Sequence, residues 1–237
     1  MTALLGLATR LGLARLLLIT GARTERGDLP TFADACFAGG VDLIQLRDPS
    51  ADHDRLLEAL KVMRGVALHY QGLVAVYESG PLAQEFGADV LHLPERGIPA
   101  AEARGYLHNW ALIGRSCHSR EQVDAALVDP DVDYLNVGPV FGGLTADGGL
   151  ELVRHAARVA PPGDPASKPW FAVGGITAGT LDLVLSAGAR RISVSRAITA
   201  ADDPEAAAIS LKDRLRHAWN EDPAMQNLTL EVFRHER

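Results

Sequence analysis

Cysteine is scarce in this sequence of 237 residues, and its two cysteines, Cys36 and Cys117, are far apart. Two distant thiols exclude the dense disulfide framework of a small secreted protein. No CxxC or Cys/His spacing predicts a zinc site. We therefore expect a reducing compartment, the cytoplasm.

Positive charge is also in short supply. Lys and Arg together number 23 against 30 Asp and Glu, which gives a formal net charge of -7. A general nucleic-acid or anionic-membrane binder normally carries the opposite sign, so neither partner is expected. A local basic patch is still compatible with a small anionic metabolite.

A long uninterrupted hydrophobic run is missing as well. The apolar segment over residues 1–20 contains Arg10 and Arg15. A membrane helix needs about 20 apolar residues, and a signal peptide places its basic residues ahead of an apolar core. We interpret the segment as a short amphipathic helix that leads into a strand. Hydrophobic residues make up 47% of the chain and charged residues 22%, which excludes a largely disordered protein.

Short β-type runs alternate with helical stretches rich in Ala, Leu, Glu and Arg. The predicted strands cover residues 15–20, 41–47, 73–77, 90–93, 111–116, 134–140, 170–174 and 191–195. The predicted helices cover residues 52–70, 80–86, 120–128, 150–159, 178–186 and 204–218. This pattern favours a (β/α)8 TIM barrel over a doubly wound open sheet. We expect one barrel domain over residues 1–220, with a short N-terminal helix, and a C-terminal arm or tail over residues 221–237.

The active site of a TIM barrel lies at the C-terminal ends of its strands. The residues that end the seventh and eighth predicted strands give the strongest indication of such a site. Gly174 and Gly175 end the seventh predicted strand, and Ser195 and Arg196 end the eighth, with a helix expected directly after each. Backbone N–H groups without Cβ crowding beside a helix N-terminus bind phosphate. We therefore predict a phosphate site here. The alternative is that the glycines serve only a tight turn.

Polar side chains follow other strands. Gln45 and Arg47 share one face of strand two and predict contact with an anion or a ring, the alternative being a buried structural pair. His118 follows strand five as either a general acid–base or a hydrogen-bonded structural histidine. His92 and Cys117 are predicted to pack inside the fold.

At these strand ends the sequence resembles the thiamine phosphate synthase / thiazole tautomerase family, over about residues 14–212. The resemblance rests on the order and spacing of QLR at 45–47, GADVLHL at 87–93, IGRSCH at 113–118, DY at 133–134, VGPVF at 137–141, VGGI at 173–176 and AGA at 187–189. It implies a TIM barrel. In the synthase reaction a magnesium-bound pyrimidine pyrophosphate ionises, and the nitrogen of a thiazole phosphate captures the carbocation. It also implies that Gln45, Arg47, Ser116 and Thr145 belong to a retained phosphate-binding half.

The sequence departs from the synthase pattern where that pattern holds magnesium and pyrophosphate. Pro49 replaces a lysine, and Tyr77-Glu78 replaces an Asn-Asp pair. After strand four, Glu95 replaces a glutamine and Gly97 replaces a magnesium-binding aspartate. Only Glu78 then remains as a candidate ligand for Mg²⁺.

The loop after strand six departs in the same way. The pattern Pro-Thr-x-Thr-Lys reads GGLTA at 142–146, without the lysine. Each lost contact to charge that develops in the transition state costs about 3–4 kcal/mol. Two lysines and one carboxylate are missing together, so we expect synthase activity to be lowered at least about 10³-fold.

Three hypotheses remain open on the sequence. The first is an active synthase in which Arg96 or Arg115 supplies the missing charge. The second is an isomerase of the thiazole tautomerase type, which needs a phosphate anchor and the acid–base His118, with Ser116 beside it, but no metal. The third is a non-catalytic sensor or partner protein that binds a phosphate ligand. Each predicts a small phosphate ester as ligand and no organic cofactor, and each is compatible with a homo-oligomer.

Overall fold

The computed structural model describes residues 5–142 and 149–234. Eight parallel strands close into a barrel in chain order, and β1 pairs with β8 through Leu17 and Ser193. This closure confirms the TIM barrel and excludes the open sheet. The strands are β1 (Leu16–Thr20), β2 (Leu43–Leu46), β3 (Leu73–Tyr77), β4 (Val90–Leu93), β5 (Leu112–Cys117), β6 (Tyr134–Val137), β7 (Trp170–Val173) and β8 (Ile192–Val194).

Helices surround the barrel and connect its strands. They are α1 (Leu7–Leu13), α2 (Leu29–Ala38), α3 (His53–Tyr70), α4 (Gly80–Phe86), α5 (Ala100–Arg104), α6 (Arg120–Val128), α7 (Gly149–Val159), α8 (Leu181–Ser186), α9 (Arg196–Thr199), α10 (Pro204–Asn220) and α11 (Pro223–Arg234). None of these helices is both long and apolar enough to span a bilayer. The predicted helices over 80–86 and 120–128 match α4 and α6, whereas no bounds were predicted for α2 and α5.

The barrel interior changes from apolar to polar along the strands. One apolar cluster fills its lower part, and Leu11 of α1 and Ala14 close this cluster from below. The cluster consists of Leu11, Ala14, Leu17, Leu43, Leu73, Ala75, Val90, Leu112, Tyr134 and Phe171. The opposite strand faces pack against the helices in a second, larger cluster. Nearer the C-terminal strand ends, buried or half-buried polar side chains include Gln45, His92, Ser116 and Asn136. Close packing below and polar groups above place the candidate site at that end.

The last helix packs below the barrel. Met225 and Leu228 of α11 are buried against Trp219 of α10. The guanidinium carbons of Arg15 and Arg191 lie 4.4 and 5.0 Å from the centroid of the Trp219 ring. Cation–π contacts of this kind stabilise a buried guanidinium. Residues 223–234 are therefore attached to the barrel by an aromatic and apolar contact.

Candidate active site

A cavity of about 470 Å³ opens at the C-terminal ends of the strands. It is lined by Ile19, Gln45, Arg47, Tyr77, His92, Pro94, Glu95, Arg96, Ser116, His118, Asn136, Pro139 and Val173. Four residues singled out from the sequence as site residues, Gln45, Arg47, Ser116 and His118, therefore meet in one place. Asn136 was not singled out from the sequence. Its amide side chain inside the otherwise largely apolar strand β6 is the signal that could have identified it.

His92 forms the floor of this cavity. Its Nδ1 lies 3.0 Å from the Tyr134 hydroxyl and its Nε2 lies 2.9 Å from Ser116 Oγ. Burial lowers the pKa of His92 to about 3, with smaller effects of Arg115 and Arg47. The imidazole is therefore neutral and offers one donor and one acceptor, which the two hydroxyl groups match. The prediction that His92 packs inside the barrel is confirmed.

Two buried acceptors on the cavity wall lack a donor. Gln45 is 1% exposed and Asn136 is 2% exposed. Within the described ranges, Gln45 Oε1 and Asn136 Oδ1 have no hydrogen-bond partner. A buried polar atom without a partner costs about 1–3 kcal/mol. A ligand with N–H or O–H groups would recover this energy.

His118 directs one ring nitrogen toward the cavity. Its Nδ1 lies 2.5 Å from the carbonyl oxygen of Gly138. Because a carbonyl oxygen only accepts, Nδ1 carries a proton in this contact. Its Nε2 lies 3.9 Å from Glu95 Oε2. This arrangement leaves Nε2 for a ligand, as an acid–base residue requires.

The two glycines after β7 are explained first by close backbone approach. Gly174 has φ +106°, and a Cβ there would lie 2.6 Å from Pro139 Cα. Gly175 has φ +66°, and its Cβ would lie 2.8 Å from the carbonyl oxygen of Phe141. The loop after β6 lies on this end, where Phe141 N donates to Gly174 O at 2.9 Å. The two glycines therefore do serve a tight turn, as the alternative interpretation held.

Free backbone donors lie at the same end. Within the described parts of the chain, residues 5–142 and 149–234, four backbone N–H groups have no hydrogen-bond partner. They belong to Gly175, Ile176, Ser195 and Arg196. The register of β7 and β8 pairs Val173 with Ser193, which places Gly175 beside Ser195.

The helix expected directly after Gly175 is not there. α8 begins only at Leu181, because Thr177 N donates to Thr180 Oγ1 in an intervening turn. The one-turn helix α9 does begin at Arg196, as predicted. Thr145, the remaining predicted phosphate contact, lies outside the described residues.

Comparisons with known proteins agree with this architecture. The sequence profile described as thiamine monophosphate synthase matches residues 16–198. Thiamine-phosphate synthase of Mycobacterium tuberculosis is 49% identical over 224 residues, 89% of this chain and 98% of the relative. The Streptomyces avermitilis enzyme of that name is 46% identical over 213 residues, 88% of this chain and 97% of the relative. The chain belongs to the thiamine monophosphate synthase family.

A solved structure from the same family supports the assignment. Thiamine phosphate pyrophosphorylase from Pyrococcus furiosus superposes with a TM-score of 0.76 at 25% identity, covering 90% of this chain and 99% of that one. The protein is therefore a member of a thiamine-biosynthesis family, and its eight strands close into the barrel described above.

The synthase family uses Mg²⁺, but the described residues do not fit that ion. They contain no group of three or more Asp, Glu, His or Cys side chains that could hold a metal. Glu78 lies in a neighbouring cleft of about 360 Å³ with Pro49. Glu95 is already hydrogen-bonded to Gln122. Mg²⁺ prefers several oxygen ligands in octahedral geometry, which these separated carboxylates do not provide.

An aromatic contact occupies the position of the family's Asn-Asp pair. The guanidinium carbon of Arg47 lies 4.9 Å from the centroid of the Tyr77 ring. Burial raises the pKa of Tyr77, so its hydroxyl stays neutral at ordinary pH. Glu78, next in the chain, has φ +67° and is exposed. Arg47 is thus held over a neutral ring at the mouth.

The two arginines considered as substitutes for the missing lysines differ in position. Arg115 donates to the carbonyl oxygens of Pro94 and Ile98, at 3.0 and 2.8 Å, and so holds the loop after β4. It does not line the cavity, whereas Arg96 does. Of the two, only Arg96 is placed to contact a ligand.

Proposed function

We propose that this family member binds a small phosphate ester of thiamine metabolism at the barrel mouth and has largely lost the synthase reaction. The decisive observation is that the two halves of the mouth differ. At the β7–β8 end, backbone N–H groups beside Gly174 and Gly175 have no partner among the described residues. The side of β2, β3 and β4 carries Pro49, Tyr77 and Gly97 where the family pattern has charged or metal-binding groups.

Phosphate binding at the β7–β8 end is supported by the free N–H groups, since clusters of such groups bind anions. Gln45 Oε1 and Asn136 Oδ1 support a ligand whose other end carries N–H or O–H donors. Thiazole phosphate supplies the anionic end and a heteroaromatic ring, and it is the probe for the phosphate half. Its unprotonated ring has no N–H or O–H group, so a ring that carries such a donor would add a contact to the two acceptors.

The binding test compares thiazole phosphate with the same thiazole alcohol lacking phosphate. At one hundred times its Kd, the phosphate ester should stabilise the fold by about 2.7 kcal/mol. The alcohol should give a much smaller shift in Tm, because it leaves the backbone donors unpaired. Absence of a Tm shift with any phosphate ester would contradict the proposal.

The synthase test measures pyrophosphate release from the two synthase substrates in the presence of Mg²⁺. We expect a rate at least about 10³-fold below that of the Mycobacterium tuberculosis relative assayed in parallel. Release at a comparable rate would show that Arg96 or another group replaces the missing charges.

A second candidate function, favoured by the orientation of His118, is proton-transfer isomerisation of the thiazole tautomerase type. Its Nδ1 is engaged by Gly138 O, and its Nε2 faces the cavity. This function needs no pyrophosphate site. Turnover of a thiazole carboxylate phosphate without added metal, lost in His118→Gln, would establish it. Tight binding without turnover would favour a sensor or partner protein.

A further inference from the structure

We propose that Glu95 and His118 form a two-residue acid–base pair, with Glu95 as a catalytic carboxylate and Gln122 as the residue that positions both. The inference rests on the proposed isomerase function and names the second proton-transfer group of that site. Its substrate class is a phosphorylated, conjugated heterocycle with an acidic C–H bond.

The short distance between the two functional groups and their shared cavity define the pair. His118 Nε2 and Glu95 Oε2 are 3.9 Å apart, and the two side chains are 38% and 35% exposed. Both line the cavity that holds Gln45 and Asn136. A ligand bound against those two acceptors therefore contacts the imidazole and the carboxylate together.

Gln122 fixes the geometry of the pair from outside the cavity. Its Nε2 donates to Glu95 Oε1 at 2.6 Å, and its Oε1 accepts from the backbone N–H of His118 at 2.6 Å. Gln122 is itself placed by the start of α6, where its N–H donates to Ser119 Oγ at 3.3 Å. One amide thus orders both groups and leaves Glu95 Oε2 and His118 Nε2 for chemistry.

The hydrogen bond to Gln122 does not by itself require a charge at position 95. A glutamine there could still accept from Gln122 Nε2 through its own Oε1. The synthase pattern has glutamine at this position, and here a carboxylate faces His118 in a chain that has also lost the metal-binding aspartate at position 97. A carboxylate adds what glutamine lacks, namely the capacity to take and return a proton.

The proton balance of a 1,3-shift closes within this pair. Glu95 Oε2 removes the proton from one ring carbon, and the electron pair moves through the conjugated system. In the starting state of this step Glu95 is a carboxylate and His118 is an imidazolium, with Nδ1–H on Gly138 O and Nε2–H toward the substrate. The Nε2–H gives a proton to the atom at the other end, which leaves the neutral imidazole, so substrate and product are isomers. Transfer of the proton from Glu95 to Nε2 across the gap then restores the starting state. No metal, oxidant or second substrate takes part.

The test uses the full chain and thiazole carboxylate phosphate as the probe. Glu95→Gln keeps the contact to Gln122 and removes only the ionisable oxygen. Glu58→Gln is the matched control, because it neutralises an exposed carboxylate on α3 that pairs with Lys61 and does not line the cavity. We measure kcat and KM in water, the Kd for the probe, and deuterium incorporation into the product in D₂O by NMR.

We expect Glu95→Gln to lower kcat and deuterium incorporation by about 10²–10⁴-fold, with KM and Kd within about threefold. Glu58→Gln should match the wild type. If Glu95→Gln turns over at the wild-type rate, the pair is overturned while the isomerase proposal stands. If the wild type binds the probe but neither turns it over nor exchanges its proton, both the isomerase and the pair are overturned.

Discussion

At Gly174 the backbone conformation and the packing both disfavour a side chain. Its φ of +106° is unfavourable for any side chain, and an added Cβ would lie 2.6 Å from Pro139 Cα. We expect Gly174→Ala to lower the free energy of unfolding by about 2–4 kcal/mol, from strain and overpacking together. It should also weaken phosphate-ester binding, because it displaces the adjacent donors.

The matched control is Gly179→Ala in the same connection. Among the described residues, a Cβ at Gly179 would meet only Thr177 Oγ1, at 3.8 Å, so this change should alter stability by less than about 0.5 kcal/mol. Urea titration of both variants gives the comparison. Equal effects would show that the approach of Pro139 is not what constrains position 174.

His92 makes the stability of the fold depend on pH. Its pKa is about 3 when buried and near 6.5 in the unfolded chain. Between these values the unfolded state binds the additional proton, so the contribution of His92 lowers stability as pH falls below about 6.5.

The expected slope is about 1.4 kcal/mol per pH unit between pH 5.5 and 4.5. His92→Gln keeps a donor and an acceptor for Tyr134 and Ser116 but does not titrate. The free energy of unfolding is measured against pH for the wild type and for His92→Gln. The difference between the two curves is the contribution of His92. Parallel curves would mean that His92 accepts a proton in the folded state.

At the scale of elements, helix α10 is attached to the barrel by a buried ion pair. Asp42 Oδ2 accepts from the backbone N–H groups of Arg15 and Leu16, at 2.7 and 2.9 Å, and also from Lys212 Nζ. Lys212 is 4% exposed, and burial lowers its pKa against the opposing effect of Asp42. The pair links α10 to the start of β1.

The two partners should not be equivalent on substitution. Asp42→Asn leaves a buried ammonium without a counter-charge and should cost about 3–5 kcal/mol. Lys212→Met leaves Asp42 half-buried with two backbone donors and should cost less than about 1.5 kcal/mol. Chemical denaturation measures both. Similar losses would indicate that the ammonium finds another acceptor.

The strands could be predicted from the sequence because each is a short apolar run between helical segments, and β3 and β4 match their predicted ranges. The predicted sixth strand is too long. It ends at Val137, because the following loop turns across and Val140 N donates to Val173 O. The contact between Glu95 and Gln122 could not be predicted either, since the two residues lie on different connections and only the closed barrel brings them together.

At the scale of the whole molecule, the synthase reaction depends on charges from several loops around the mouth. Single restorations should do almost nothing, because groups that act as a unit are strongly non-additive. The restored set takes one change from each altered loop, with a second after β3: Pro49→Lys, Tyr77→Asn, Glu78→Asp, Gly97→Asp and Ala146→Lys, the last of which lies outside the described residues.

The structure adds one requirement to this set. A Cβ at Gly97 would lie 2.9 Å from Pro94 Cδ and 3.2 Å from the Pro94 carbonyl oxygen. The proline ring cannot move away as a flexible side chain would, so an aspartate at 97 is displaced from the mouth unless Pro94→Gly accompanies it. We expect magnesium-dependent pyrophosphate release only from the set that includes Pro94→Gly. If that variant folds, binds thiazole phosphate and stays inert, the loss of synthase activity has its origin beyond these loops.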